Sequence, residues 1–468
     1  MITKLATSWI VLLALLLVPT WLGRLANAEE ALQSGNETVI RRGFCIIGGG
    51  AAGTYAAIRL RELGQDVVLV EKTGRLGGQS RTHFDPVTRA SIDYGVRAFE
   101  DCPETRKFFK HFNIPLSLDT STADVEVLRF DFRTGVSVPP YPGNTKAAIE
   151  RYTMELQRYS YIAQGWNFSE QVPEPLLEPF GDFVKEHDLG PAMETVTILA
   201  QGMHYLLDYA TAYPLKIVSL GRLTGLEHGY LVPTRHNITE LYNAAQRELG
   251  EDVLFGSTVV HARRSDDKLH RLTVEYDNGE RVVIEADATI MAMPPKIDEM
   301  DGFDLDSLES FFIRQFKYGY VYTGLMRDSG LPDDTRILNR GLDTPYRIPR
   351  YPCIYSILSS EVPGIHLVTY GSAEEMSEQE VRDAISDDIV RLQEGGLNTT
   401  EPTFLALATH SPYDMYVSRE AMKAGFYQDV KDLQGHRNTY WIGAAWEHPD
   451  SSAIWRSVDR LLPAIIGD

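Results

Sequence analysis

Residues 44–53 read Phe44-Cys45-Ile46-Ile47-Gly48-Gly49-Gly50-Ala51-Ala52-Gly53, an apolar strand running straight into G-x-G-x-x-G, and Glu71 closes a second apolar run, Asp66-Val67-Val68-Leu69-Val70. This spacing predicts a strand, a tight turn and a helix that together cradle a dinucleotide. Gly48 turns the chain, Gly50 lets the backbone approach a pyrophosphate, and Gly53 lets the helix pack closely on the strand. The free N–H groups at the helix start would face the phosphates. Glu71 stands where a carboxylate accepts hydrogen bonds from both hydroxyls of an unphosphorylated ribose.

The residues after the acid separate two cofactor classes. Lys72-Thr73-Gly74-Arg75-Leu76-Gly77-Gly78-Gln79-Ser80-Arg81-Thr82 adds a second glycine pair that a nicotinamide site does not need. A flavin dinucleotide lies extended, so this loop must approach it as well, and Arg75, Gly77, Gly78 and Gln79 suit contact with ribose and pyrophosphate. The expected cofactor is FAD.

The double signature resembles the flavin-containing amine oxidase superfamily, whose pattern is G-x-G-x-x-G, a terminal acid, then R-x-G-G-R. More narrowly it is similar to the fungal branch named after beta-cyclopiazonate dehydrogenase, through Gly77-Gly78-Gln79-Ser80, Asp93-Tyr94-Gly95 and Gly443-Ala444-Ala445-Trp446 with Asp450-Ser451-Ser452. Gln79 replaces the second arginine of the pattern and would meet a phosphate without charge assistance. The resemblance implies that Val259 presents its backbone to the adenine and that Lys317 holds a water near flavin N5. Asp450, Ser451 and Ser452 suit a helix N-cap region, so the free N–H groups of that helix would face the flavin pyrimidine. Ala444 stands where the wider family has a glutamate, so that contact is lost or replaced. No cysteine lies near this segment to form a cysteinyl-flavin bond, and His83 is a weaker candidate for a histidinyl one.

Lys4, the apolar run Trp9 to Val18 and Ala26-Asn27-Ala28 read as a secretory signal peptide over residues 1–28, with an uncleaved anchor as the alternative. Sequons at Asn36, Asn167, Asn237 and Asn398 are compatible with N-glycans in a secreted protein. Three cysteines do not make a disulfide framework; Cys45 reads as an inert core residue, and Cys102 and Cys353 remain free to pair. A net charge of −20 disfavours nucleic acid and anionic membrane surfaces as partners. No membrane span follows the signal.

The expected fold is α/β, a Rossmann-like FAD-binding domain interleaved with a mixed α+β substrate domain. The FAD domain takes residues 40–103, 226–300 and 429–468; the substrate domain takes a helical segment, 104–225, and a mixed part, 301–428. Asp277-Asn278-Gly279-Glu280 between alternating runs predicts a hairpin. Ser377 with Glu380 predicts a capped helix running to Gln393. The aromatic residues Tyr152, Tyr161, Trp166 and Tyr205 read as packing before they read as cavity lining.

Scattered histidines and the absence of C-x-x-C or G-x-S-x-G spacings leave no metal or nucleophile-elbow reading. The expected function is oxidation of a small molecule by hydride transfer to flavin N5, with molecular oxygen as acceptor. The resemblance adds fungal secondary metabolism and ring closure. The alternatives are a general amine or amino-acid oxidase, a non-catalytic binding protein like the GDP-dissociation inhibitors, and an NAD-linked dehydrogenase.

Overall fold

A computed structural model describes residues 38–119, 125–168 and 171–467. Its first sheet has seven strands. Val253–Phe255, Val67–Glu71, Thr38–Ile47 and Arg281–Met291 run parallel in that order, and His270–Tyr276 and Ser257–Arg263 extend the sheet as an antiparallel meander. The strand Arg281–Met291 is long enough to pair with three partners, the third being Thr439–Trp441 along its last residues. The Asn278-Gly279 turn joins its start to Tyr276, with Glu275 opposite Arg281.

The uninterrupted apolar run at Phe44–Ile47 follows from burial on both faces. Phe44 and Ile46 pack toward the helix Ala51–Glu62, while Cys45 and Ile47 pack toward the helical layer on the other side. The C-terminal helix Ser451–Ile466 closes the first layer: Trp455 stacks on Tyr55 and Phe99 with centroids 5.7 and 5.4 Å apart, and its indole N–H donates to the Ala51 carbonyl at 3.1 Å. Truncating this fully buried side chain to alanine would cost about 3–5 kcal/mol.

The second sheet has six strands in the order Thr403–His410, Tyr320–Arg327, Ile365–Ser372, Cys353–Ser359, Thr335–Asn339 and Glu126–Phe130, antiparallel except for the last pair. Glu126–Phe130 lies inside the stretch expected to be helical, as does Leu116–Asp119, which pairs with Tyr230–Pro233. The helices of that stretch are also short apart from Thr145–Arg158. Prolines at 139, 140, 142, 173 and 175 interrupt the helical patterning there. The helix at Glu378–Arg391 begins at a complete capping box between Ser377 and Glu380. Tyr152 and Trp166 are buried in the helical layer, whereas Tyr161 and Tyr205 are exposed.

Cys45, Cys102 and Cys353 are all buried free thiols, so Cys102 and Cys353 form no disulfide. Cys102 caps a helix in the first layer beside Thr105, and Cys353 lies on the second sheet. The signal segment 1–28 and the Asn36 sequon fall outside the described residues. Asn167 and Asn398 are exposed, but Asn237 is half-buried and its side-chain oxygen is shut away from solvent, which makes it a poor acceptor in the folded chain. Among the described residues no helix is long and apolar enough to cross a membrane, and no group of residues is arranged to hold a metal ion.

Candidate functional site

The two glycine turns meet. Gly48 has φ +102°, a conformation that favours glycine, and its carbonyl would lie 1.9 Å from a β-carbon on Gly53, so the helix packs on the turn with no room for a side chain. Across the gap Gly77, at φ +101°, donates its N–H to the Gly49 carbonyl at 2.8 Å. A β-carbon on Gly78 would come within 3.0 Å of the Gly50 Cα. At Gly50 itself a β-carbon would meet nothing within 4 Å, because that position opens onto a cavity of about 830 Å³. Backbone can therefore reach a pyrophosphate from both turns.

Glu71 does more than wait for a ribose. One oxygen accepts from the Gly49 N–H at 2.7 Å, and the other accepts from the Thr73 N–H and hydroxyl at 2.8 and 2.7 Å. A carboxylate has about four lone-pair sites, so capacity remains for a hydroxyl. Arg75 turns back on its own loop and donates to the carbonyls of Leu76, Ser80 and Gly78 at 3.0, 3.0 and 2.5 Å. Its charge lies beside the expected phosphates, but its hydrogen bonds shape the glycine pair. Burial holds its pKa below the ordinary arginine value, and the Arg81 charge lowers it further. Gln79 lines the cavity, as does Val259 on the strand Ser257–Arg263.

At the far end, Gly443, Ala444 and Ala445 line the cavity with Asp450 and Ser451. The helix start is already occupied: Asp450 caps it by accepting from Ala453 N–H at 3.0 Å, and the Ser452 hydroxyl is buried against Glu100 and Thr105. Arg222 stands 3.7 Å from the Asp450 carboxylate. The nearest acid after Ala444, Glu447, turns away to Lys216 at 2.5 Å and Arg460 at 3.0 Å. Burial alone would raise its pKa; the Lys216 charge and His448 hold it down to about 2. Glu447 thus fastens the loop from behind and does not replace the missing glutamate in the cavity.

The second sheet closes the cavity from the other side with Val321, Thr323, Leu367, Thr369, Thr409 and His410. The Thr323 hydroxyl lies 2.7 Å from His410 Nε2, whereas His410 Nδ1 is buried without a partner. Burial, then the charges of Arg81 and Arg75, push the His410 pKa down to about 3, so the ring is neutral at any physiological pH. Sequence reading missed this wall, and it missed Arg81 and Arg97 beside it. Arg81 had a signal: it lies two residues past Gln79, which stands where the family pattern has its second arginine.

Two sequence assignments do not reach the cavity. Lys317 is exposed on a two-residue strand paired with Met415–Tyr416, and strand alternation turns the neighbouring Tyr318 inward, its hydroxyl 2.9 Å from the Pro295 carbonyl. The lysine is not among the lining residues, and a place beside flavin N5 does not fit it. His83 is likewise outside the lining.

A parallel sheet bearing paired glycine turns, roofed by a second sheet across one shared cavity, defines an FAD-binding oxidoreductase. The chain belongs to the flavin containing amine oxidoreductase family, which it matches over residues 51–451. It is 33% identical to the FAD-dependent oxidoreductase pigF of Monascus ruber, covering 97% of this chain and 99% of that protein. It is 28% identical to the beta-cyclopiazonate dehydrogenase of Aspergillus flavus over 95% of this chain and 98% of the relative. The fold also matches a CLA-producing fatty acid isomerase of P. acnes, with TM-score 0.74, 17% identity and coverage of 90% and 98% of the two chains. The cofactor is FAD, and the glycine turns, the open space at Gly50 and the spare capacity of Glu71 fit it.

Proposed function

We propose that this protein oxidises a small organic molecule of fungal secondary metabolism by removing a hydride from a C–H bond beside nitrogen or oxygen, with molecular oxygen as final acceptor and hydrogen peroxide as product. The observation that carries this reading is the single cavity shared by the glycine turns and the hydroxyl-bearing wall of the second sheet. Bound FAD supplies the hydride acceptor at N5. The chain binds and orients the substrate through the Thr323, Thr369 and Thr409 hydroxyls, while Val321 and Leu367 exclude water. A carbon left electrophilic by hydride loss is open to attack by a nucleophile in the same molecule, which extends the proposal to ring closure. The names of the fungal relatives support the metabolic setting. A general amine oxidase fits less well, because arginines at 75, 81, 97 and 222 line the cavity and repel a protonated amine.

The test is direct. Purified protein should be yellow, with bands near about 370 and 450 nm, and aerobic incubation with fungal metabolite extracts should yield peroxide and a product lighter by two hydrogens. A folded, colourless protein would remove the reading. We further propose that residues 1–28 direct the chain into the secretory pathway, a reading supported by the apolar run after Lys4 and by exposed sequons at Asn167 and Asn398. An intact N-terminus on secreted protein, or no mobility change with an endoglycosidase, would count against it.

A further inference from the structure

We propose that the substrate carries an anionic group, a carboxylate or an acidic enolate, and that Arg97 receives it; this rests on the FAD-dependent oxidation proposed above and names its substrate class. The chain has a net charge of −20, yet more cations than carboxylates line its cavity. Two of those cations, Arg75 and Arg222, are committed to the protein itself. Arg75 is bound to three carbonyls of its own loop. Arg222 donates to the Leu199 carbonyl at 2.8 Å and faces Asp450. Arg81 follows the glycine-pair loop directly, and its Nε is buried without a partner.

Arg97 is likewise uncommitted, but it is carried by the segment after Asp93-Tyr94-Gly95 and not by the glycine-pair loop. It lines the cavity and makes no hydrogen bond or ion pair among the described residues. The segment that carries it is pressed against the glycine-pair loop, since a β-carbon on Gly95 would lie 2.0 Å from the Gln79 carbonyl. Arg97 is therefore held beside the cofactor loop. By surface area it is exposed, yet burial, ahead of attraction by Glu361, Asp93 and Asp119, keeps its pKa below the ordinary arginine value; both hold for a side chain facing into a cavity. Two of those acids are engaged elsewhere, Asp93 by Thr82 and the Ile238 N–H and Glu361 by His236 at 3.1 Å. Arg336 is a second positive charge nearby: after burial, the Arg97 charge lowers its pKa. A guanidinium so placed offers a planar pair of donors to a carboxylate or enolate, and an anion there would relieve the repulsion between the two arginines.

The experiment uses the FAD-loaded protein titrated with benzoate, benzamide and benzylamine while the flavin absorbance is followed. Benzoate should perturb the spectrum at concentrations where the neutral amide and the cationic amine do not. Arg97→Met should retain FAD, melt no lower than the wild type and weaken benzoate binding roughly tenfold or more, with Arg97→Lys between them. Equal responses to benzoate and benzamide, no response to benzoate, or unchanged benzoate binding in Arg97→Met would each overturn the proposal. Loss of FAD from Arg97→Met would overturn it too, by assigning the arginine to the cofactor. A colourless wild-type protein is a separate result that strikes the redox reading itself.

Discussion

On the nucleotide side of the cavity the recognising surface is backbone, at Gly48, Gly50, Gly77 and Gly78, and side chains such as Glu71 and Arg75 serve to hold that backbone in place. On the opposite side the second sheet presents side chains, Val321, Thr323, Thr369 and His410 among them, and its backbone is consumed in strand pairing. The first wall tolerates almost no substitution because shape is its function. The second can change its chemistry without changing its fold, which is how one scaffold accommodates many substrates.

The strongest way to break this contrast is at the glycines. Gly53→Ala would place a β-carbon 1.9 Å from the Gly48 carbonyl oxygen, so it should cost about 3 kcal/mol or more in stability, read from denaturant melts. A β-carbon at Gly50 meets no protein atom within 4 Å, so Gly50→Val should leave a folded protein that has lost its yellow colour. If that variant keeps its flavin, the cradle is misassigned. Glu71→Ala should fall between these, weakening FAD retention and loosening both turns, because its carboxylate fastens Gly49 and Thr73 as well as any ribose. Retention equal to the wild type in an equilibrium dialysis would deny it a part in binding.

Variants of the opposite wall should spare the cofactor. Thr323→Val removes the partner of His410 Nε2 and should cost about 1 kcal/mol in stability and slow turnover while the flavin spectrum stays intact. Behind the same wall, burial raises the Asp414 pKa to about 7, against which the Tyr209 hydroxyl bond pulls down. With a folded pKa above the unfolded 3.8, this acid costs nothing below the lower value, and its penalty grows to completion as pH passes the higher one. The melting temperature of Asp414→Asn relative to wild type should therefore rise between about pH 4 and pH 7 and level off above. A flat difference would mean that Asp414 does not titrate there. The smallest effect is expected of Lys317→Met, which should leave turnover unchanged because the side chain points to solvent; a large loss would restore it to the site.

The nucleotide half was legible because its chemistry is contiguous: strand, turn, helix and acid fall within residues 44–71, and Gly48 and Gly53 answer local steric demands. The substrate wall was not. Thr323, Thr369 and His410 lie on three strands and meet only through pairing, in which Thr323 stands opposite Thr369 and Val321 opposite His410. Alternation gives a residue's face but not what the face looks upon. The same rule explains Lys317, whose motif position suggested the cavity while its strand phase put it outside. Arg97 left no motif either, since an arginine reads as a surface residue until its partners are found missing.

The hydrogen bond from Gly77 to Gly49 joins the two turns through protein alone. Removing the prosthetic group should then leave a receptacle already in shape, so a deflavo form ought to be reconstituted by simple mixing, without refolding. Because the grip is on the phosphate and sugar end, such a form would also accept isoalloxazine rings altered in their redox potential, giving a means to tune the driving force for oxidation without touching a single residue.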